Sequence, residues 1–237
     1  MKTLTLNNLN TLPYATEEAL NRLRINFNFC GDRFKKILIT SSVPGEGKSF
    51  ISTNLWRMLG ESGRNVVLVD ADIRKSMMRT RYRMSSNGGD FVGLSHYLAG
   101  SASLDDVVYA TNLPGAYLLP TAHTVFNPSI LLQNGRVEEM LDALAQRFDH
   151  VLVDTPPLTN VADGELIASF CDGALLVVHG GGTPRSLVSN SLKLLDRAGC
   201  ELMGVVLNRV KEDGNPYYQK YTKYGYYYED NDGSRKK

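Results

Sequence analysis

The sequence predicts an α/β fold, a mostly parallel β-sheet with helices on both faces. Two observations carry this prediction. Short runs that are apolar at every successive position alternate with longer stretches of helical periodicity, and strands buried on both faces read that way. The repeated order strand, helix, strand then favours parallel pairing through crossover helices.

Taken in order, the segment Ala15 to Phe29 spaces Ala19, Leu20, Leu23 and Phe27 as one helical stripe, with Glu17 and Glu18 in its first turn, where negative charge suits the helix dipole. "KILIT" (36–40) is the first buried strand, followed by a helix from Lys48 to Gly60, and "NVVLVD" (65–70) is the second strand. Residues 84–113 and 120–134 are looser and predict loops and short helices on one edge of the sheet, around the strand "AYLLP" (116–120). A helix from Gly135 to Arg147, the strand "HVLVD" (150–154) and a helix from Asp163 to Phe170 come next, with Asp163 read as the N-cap. "ALLVVH" (174–179), a helix from Arg185 to Ala198 and "LMGVVLN" (202–208) complete the pattern. Gly60, Gly63 and Gly199 stand where helices are expected to stop. There is no internal repeat. The chain divides into a helical N-terminal segment (1–34), one α/β domain (35–210) and a tail (211–237).

Composition narrows the function classes. The chain has 237 residues, 43% hydrophobic and 22% charged, with a formal net charge of +1, so nothing marks a general nucleic-acid or anionic-membrane binder. No apolar run is long enough to span a bilayer, and the first residues lack the apolar core of a signal peptide. Cys30, Cys171 and Cys200 are odd in number and far apart. They make neither a disulfide framework nor a metal knuckle, and they suit a reducing cytoplasm as small buried hydrophobes. His96, His123, His150 and His179 show no metal-ligand spacing.

Two stretches ask for a function. "SSVPGEGKSF" joins a buried strand to a helix, the pattern of a phosphate-binding loop. Gly45 and Gly47 let backbone N–H groups face phosphate oxygens, Lys48 reaches the β- and γ-phosphates, and Ser49 offers its hydroxyl to Mg²⁺. Ser42 stands where such loops usually begin with glycine. Asp70 and Asp154 end buried strands, with Asp72 close behind, and ligands of open parallel sheets bind beyond the strands' carboxyl ends. Together these predict a nucleotide and metal site.

The other stretch is "YYQKYTKYGYYYED", which holds Tyr217, Tyr218, Tyr221, Tyr224, Tyr226, Tyr227 and Tyr228; after Val210 there is no Leu, Ile, Val, Met or Phe. Such a segment cannot build a core, and Lys220, Lys223, Glu229, Asp230 and Asp232 keep it solvated. The basic run "RKSMMRTRYR" (74–83) reads either as a solvated face or as a docking strip for acidic or phosphorylated segments of a neighbour.

These motifs resemble the bacterial tyrosine kinases that govern capsule and exopolysaccharide export, over nearly the whole chain from Glu17 to the tail. "SSVPGEGKS" is similar to the family's Walker A motif, "VVLVDADIR" to its second Walker A-like motif and "VLVDTPP" to its Walker B; "GLSHYLAG", "NPSILL" and "GVVLNRV" also resemble family segments. The resemblance implies a P-loop NTPase-like fold and an ATP-dependent protein-tyrosine autokinase whose own tail tyrosines are the substrate. It implies ATP held by Pro44, Gly45, Glu46, Gly47, Lys48, Ser49 and Phe50, and Mg²⁺ near Ser49, Asp72 and Asp154. Catalysis would fall to Asp70 as base with Lys48 and Asp72. Asn208 matches a position that meets adenine, beside the plainer reading of a strand-end turn residue.

The family also implies a ring built partly through Glu18 and Arg24, although Asn21 stands at the middle arginine of its E-x-x-R-x-x-R motif. It implies a transmembrane activator of the polysaccharide co-polymerase type, a cognate phosphotyrosine phosphatase, and a cytoplasmic chain recruited to the inner face of the membrane. The rival resemblance is to the switch ATPases of cell division and plasmid partition. Those share all three Walker-type motifs but carry an early loop lysine where this chain has Val43, and they lack a tyrosine-rich tail.

Overall fold

The computed structural model describes residues 2–9, 11–86, 91–123, 125 and 128–210. The tail, with all seven clustered tyrosines, lies outside the described residues. In chain order the elements are β1 (Lys2–Thr5), α1 (Tyr14–Phe29), β2 (Lys36–Ser41), α2 (Lys48–Glu61), β3 (Val66–Asp70), α3 (Met78–Arg81), β4 (Ser85–Ser86), α4 (Leu94–Leu98) and α5 (Leu104–Val107). They continue as β5 (Tyr109–Thr111), β6 (Ala116–Leu119), α6 (Pro128–Leu132), α7 (Arg136–Arg147), β7 (His150–Asp154), α8 (Asp163–Ala168), β8 (Gly173–His179), α9 (Arg185–Arg197) and β9 (Glu201–Asn208).

Nine strands form one sheet in the order β4-β1-β5-β6-β3-β7-β2-β8-β9. The six strands read from the sequence are its continuous parallel centre, from β6 to β9. Alternate residues of each central strand face opposite layers. Leu38, Val67, Val69, Val151, Val153 and Leu176 point to the layer capped by α7, α8 and α9. Ile37, Ile39, Val66, Leu68, Leu152 and Val177 point to the layer that holds α1 and α2 through Leu20, Phe27, Leu55, Trp56 and Leu59. Trp56 is fully buried, and its indole N–H donates to the Val66 carbonyl at 3.1 Å, tying α2 to β3 beneath the site.

The sequence reading missed three short strands. β1 lies in the segment read as helical, while β4 and β5 lie in the stretch read as loops and short helices; β5 pairs antiparallel with β6, parallel with β1, and β4 closes the edge antiparallel. These strands have two to four residues and little apolar content, too short for a period of two to register.

Gly60 is also corrected. It lies inside the last turn of α2 and does not stop it. A Cβ there would meet the Pro114 carbonyl oxygen at 2.4 Å, so the glycine permits close approach of the α2 backbone to the β6 connection.

Candidate active site

β2 leads into the loop 42–47 and α2 starts at Lys48, so the loop opens at the carboxyl end of the sheet beside the ends of β7 and β3. Gly45 and Gly47 both take left-handed backbone conformations, at φ +85° and +94°. A Cβ on Gly47 would fall 2.1 Å from the Asn208 amide nitrogen. Glycine is required at that position by conformation and by space.

The loop is braced from behind by side-chain contacts that no motif predicted. Glu46 is 2% exposed. One of its oxygens accepts the Val43 N–H at 2.8 Å; the other accepts the His179 N–H at 3.0 Å and the Thr183 hydroxyl. The Glu46 carboxylate therefore faces away from any phosphate and clamps the loop to the end of β8. Asn208, at the end of β9, donates its amide to the Glu46 carbonyl at 2.7 Å. Buried Ser42 accepts a hydrogen bond from the Ser191 hydroxyl of α9 at 2.9 Å. A glycine there could not accept that bond.

Phe50 is placed on the core side. Its N–H donates to the Gly47 carbonyl at 3.0 Å and its ring packs on the α1–α2 layer. Pro44 and Gly45 are exposed at the loop's tip.

The charged groups converge. Lys48 Nζ lies 3.2 Å from Asp72, 3.7 Å from Asp154 and 3.4 Å from the Ser49 hydroxyl. Burial pulls the Lys48 ammonium down, but Asp154, Asp72 and Asp70 outweigh that and hold it above its ordinary value. Burial pushes Asp154 up, only partly opposed by Lys48. Among the described residues the buried Oδ1 of Asp154 has no hydrogen-bond donor, since Lys48 at 3.7 Å gives charge without a bond.

Asp70 is fully desolvated and is pushed up to about 7, by burial first and Asp154 second among the raising causes, against bonds from Ser76 and Thr121. Both of those bonds reach one oxygen: Asp70 Oδ2 accepts the Ser76 hydroxyl and, at 3.4 Å, the Thr121 N–H. Among the described residues no hydrogen bond reaches the other oxygen. A cavity opens here, lined by Lys48, Asp70, Asp72 and Asp154, by Met77, Met78 and Tyr82, and by the exposed Lys75 and Arg81.

Among the described residues no cluster of three His, Cys, Asp or Glu side chains makes a metal cage. The donors that are present, the Ser49 hydroxyl and the Asp72 and Asp154 carboxylates, are all oxygen, and Asp154 Oδ1 is an orphan. That set fits Mg²⁺, which keeps several waters and takes one or two carboxylates beside substrate phosphates.

Asp163 departs from the sequence reading. Ala162 takes the N-cap position, and Asp163 is the first helical residue of α8, 2% exposed. Its carboxylate takes a bidentate pair from Arg74, at 2.5 and 3.0 Å, and the Ser129 hydroxyl at 3.2 Å. Arg74 is thereby removed from the basic run and fixes the chain after Asp72. Cys171 and Cys200 are buried, and burial pushes the Cys200 thiol up to about 12, which suits packing rather than nucleophilic chemistry.

The phosphate loop, strand-end carboxylates and sheet order define a P-loop nucleotide-handling protein. Residues 34–178 match the AAA domain family model. The chain is 38% identical to a tyrosine-protein kinase, CpsD, of Streptococcus agalactiae over 89% of its own length and 90% of that relative. The kinase domain of Escherichia coli tyrosine kinase ETK superposes with a TM-score of 0.77 at 30% identity, covering 84% of this chain and 77% of that one. The septum site-determining protein MinD of Pyrococcus horikoshii, complexed with Mg-ADP, is more distant, with a TM-score of 0.64 at 26% identity over 78% of this chain and 76% of its own.

The chain belongs to the bacterial tyrosine kinase family. It is a protein-tyrosine kinase with a nucleotide-binding P-loop domain, and the switch-ATPase reading is the weaker one. Among the described residues no helix is long and apolar enough to cross a membrane.

Proposed function

We propose that this kinase transfers the γ-phosphoryl group of ATP to Tyr217, Tyr218, Tyr221, Tyr224, Tyr226, Tyr227 and Tyr228 of its own tail, and that this regulates polysaccharide synthesis and export. The observation that carries the reading is buried Asp70 lining a cavity shared with Lys48, with both of its hydrogen bonds among the described residues on one oxygen. A tyrosyl hydroxyl with a solution pKa of about 10 is a poor nucleophile until a base takes its proton. In this reading the tyrosyl oxygen attacks the γ-phosphorus, its proton passes to Asp70, and the bond to the β-phosphate oxygen breaks, leaving ADP.

The loop 44–49 and the first turn of α2, Phe50 included through its backbone, receive the phosphates. Lys48 gives up its carboxylate partners to neutralise charge on the β- and γ-oxygens. Ser49, Asp72 and Asp154 are the residues that would hold Mg²⁺, which supplies charge neutralisation across the transferred group when bound. Asn208 spends its amide N–H on Glu46, which leaves its carbonyl oxygen to accept from the adenine amino group. Met77, Met78 and Tyr82 offer an apolar wall suited to an aromatic ring.

Assembly and partners extend the proposal. Glu18 and Arg24 are half-buried on α1, whose C-terminal half exposes Ile25 (44%) and Phe29 (82%), and such a face supports contact with a second copy in a ring. A transmembrane activator of the co-polymerase type would bring the chain to the inner membrane surface, and a phosphotyrosine phosphatase would reset the tail. To test the catalytic claim, the purified chain is incubated with ATP and Mg²⁺ and its phosphate mapped by mass spectrometry. The kinase reading expects phosphotyrosine at 217–228. ATP turnover that survives deletion of 211–237, with no phosphotyrosine on the intact chain, would instead favour a hydrolytic switch.

A further inference from the structure

We propose that Lys75 and Arg81 form an anion-reading subsite at the rim of the cavity, selecting acceptor tyrosines that carry a carboxylate or a phosphate one to three residues away. This rests on the reading of that cavity as the acceptor site. The cavity's lining is polarised by depth: Asp70 and Asp154 are buried and Asp72 half-buried, whereas Lys75 and Arg81 are exposed. An anionic flank is repelled from the floor and attracted to the rim.

The two cations are uncommitted. Both are exposed and neither forms an ion pair among the described residues. Their backbones are nonetheless held. The Lys75 N–H donates to the Asp72 carboxylate at 3.1 Å. The Arg81 N–H donates to Met77 at 2.9 Å, and its carbonyl accepts the Asn8 amide at 3.0 Å. No acidic residue occurs from Ile73 to Ser86 to cancel them, and Arg79 and Arg83 add to the same strip.

The reach fits the tail's sequence. One to three residues of extended chain span about 3 to 10 Å, the scale of a rim beside a buried acceptor. Tyr226, Tyr227 and Tyr228 are followed by Glu229, Asp230 and Asp232, whereas Tyr221 and Tyr224 follow Lys220 and Lys223. Label therefore enters at 226–228. Each new phosphate brings roughly −1.5 to −2 charges. Tyr224 is two residues upstream of Tyr226, and Tyr221 and Tyr218 follow at intervals of three. Every phosphotyrosine supplies the anion for the next, and phosphorylation travels toward the N-terminal end of the cluster.

The test is a site-resolved time course of full-length protein with ATP and Mg²⁺. Tyr226 to Tyr228 should label first, and Y226F/Y227F/Y228F should delay Tyr224 and Tyr221. K75E/R81E should slow Tyr228 about tenfold, the scale of one or two exposed ion pairs, and move the first label to Tyr221 or Tyr224 while nucleotide affinity is unchanged. An order that K75E/R81E leaves intact would overturn the subsite. A synthetic peptide spanning Tyr224 to Asp232 gives an arm independent of catalysis. It should bind the wild-type chain about tenfold more tightly than K75E/R81E, again by one or two ion pairs, and lose that advantage when its acids become amides. Equal binding overturns the subsite even if no tyrosine is labelled, while an unlabelled wild-type tail with selective peptide binding overturns the autokinase reading alone.

Discussion

Asp70 and Asp154 sit directly opposite each other at the ends of the adjacent parallel strands β3 and β7, both buried, with Lys48 reaching across from the start of α2. Two carboxylates on neighbouring strand ends cannot both ionise cheaply in so dry a place. Burial and the Asp154 charge hold Asp70 at about 7, within reach of the protonation change a base must undergo. The arrangement costs stability, and that cost is measurable.

In metal-free and nucleotide-free protein, Asp70→Asn should raise the melting temperature at pH 8. The folded pKa of about 7 lies above the ordinary 3.8, so the folded chain binds the proton more tightly than the unfolded one. The penalty is absent below about pH 4, grows until about pH 7 and is then constant. Its upper bound is on the order of 4 kcal/mol, at 1.36 kcal/mol per pKa unit. Thermal scans at pH 5 and pH 8 with chelator check this: the gain of the variant should be larger at pH 8.

Lys48→Met should abolish tail labelling, with a loss of about 10²- to 10³-fold for one removed charge-stabilising donor. Folding should persist, because the lysine serves the carboxylates and phosphate rather than either core layer. Circular dichroism with a phosphotyrosine blot separates the two. A stable variant that labels normally removes Lys48 from the mechanism.

How far the sequence foretold this site depends on what kind of signal each residue left. Lys48, Ser49, Asp70, Asp72 and Asp154 were legible because a loop pattern and strand ends both point to one edge of a parallel sheet. The central strands were legible because burial on both faces leaves unbroken apolar runs. Ser76, Thr121 and Thr183 were not, since a lone hydroxyl leaves no periodicity. The Glu46 clamp was hidden because its partners are the backbone of Val43 and His179, separated from it by 3 and 133 positions. Asp163 looked like a cap by position, and the bidentate reach of Arg74 across 89 residues changed its role. The edge strands β1, β4 and β5 exist through pairing, which local sequence does not encode.

Glu46→Gln should weaken the loop without touching a ligand directly. A glutamine presents one N–H₂ group where the carboxylate met only donors, which leaves a buried donor facing a donor. The cost is about 1–3 kcal/mol, or roughly 2–10 °C in melting temperature for a chain of this size. Nucleotide affinity should fall with it. Thermal unfolding and fluorescent-nucleotide titration measure both, and an unchanged melting temperature would contradict the clamp.

His150 should make the fold acid-sensitive. It is 3% exposed, its Nδ1 lies 3.2 Å from the Phe34 carbonyl, and burial lowers its pKa below 6.5. A depressed folded pKa means that its contribution is complete above about 6.5 and is lost as pH falls through the folded value. His150→Gln should be less stable than wild type at pH 8, and the gap should narrow toward pH 5. A gap that is constant across that range would show that the ring does not titrate with unfolding.

The central claim is that Asp70 takes the proton from tail tyrosine while Lys48 and the loop handle the nucleotide. Single-turnover phosphorylation of full-length Asp70→Asn beside its ATP affinity tests it most directly. The account predicts tail labelling about 10²- to 10⁴-fold slower, the span of general-base catalysis, with ATP affinity little changed. Labelling at the wild-type rate, or a loss that follows ATP affinity step for step, would contradict it.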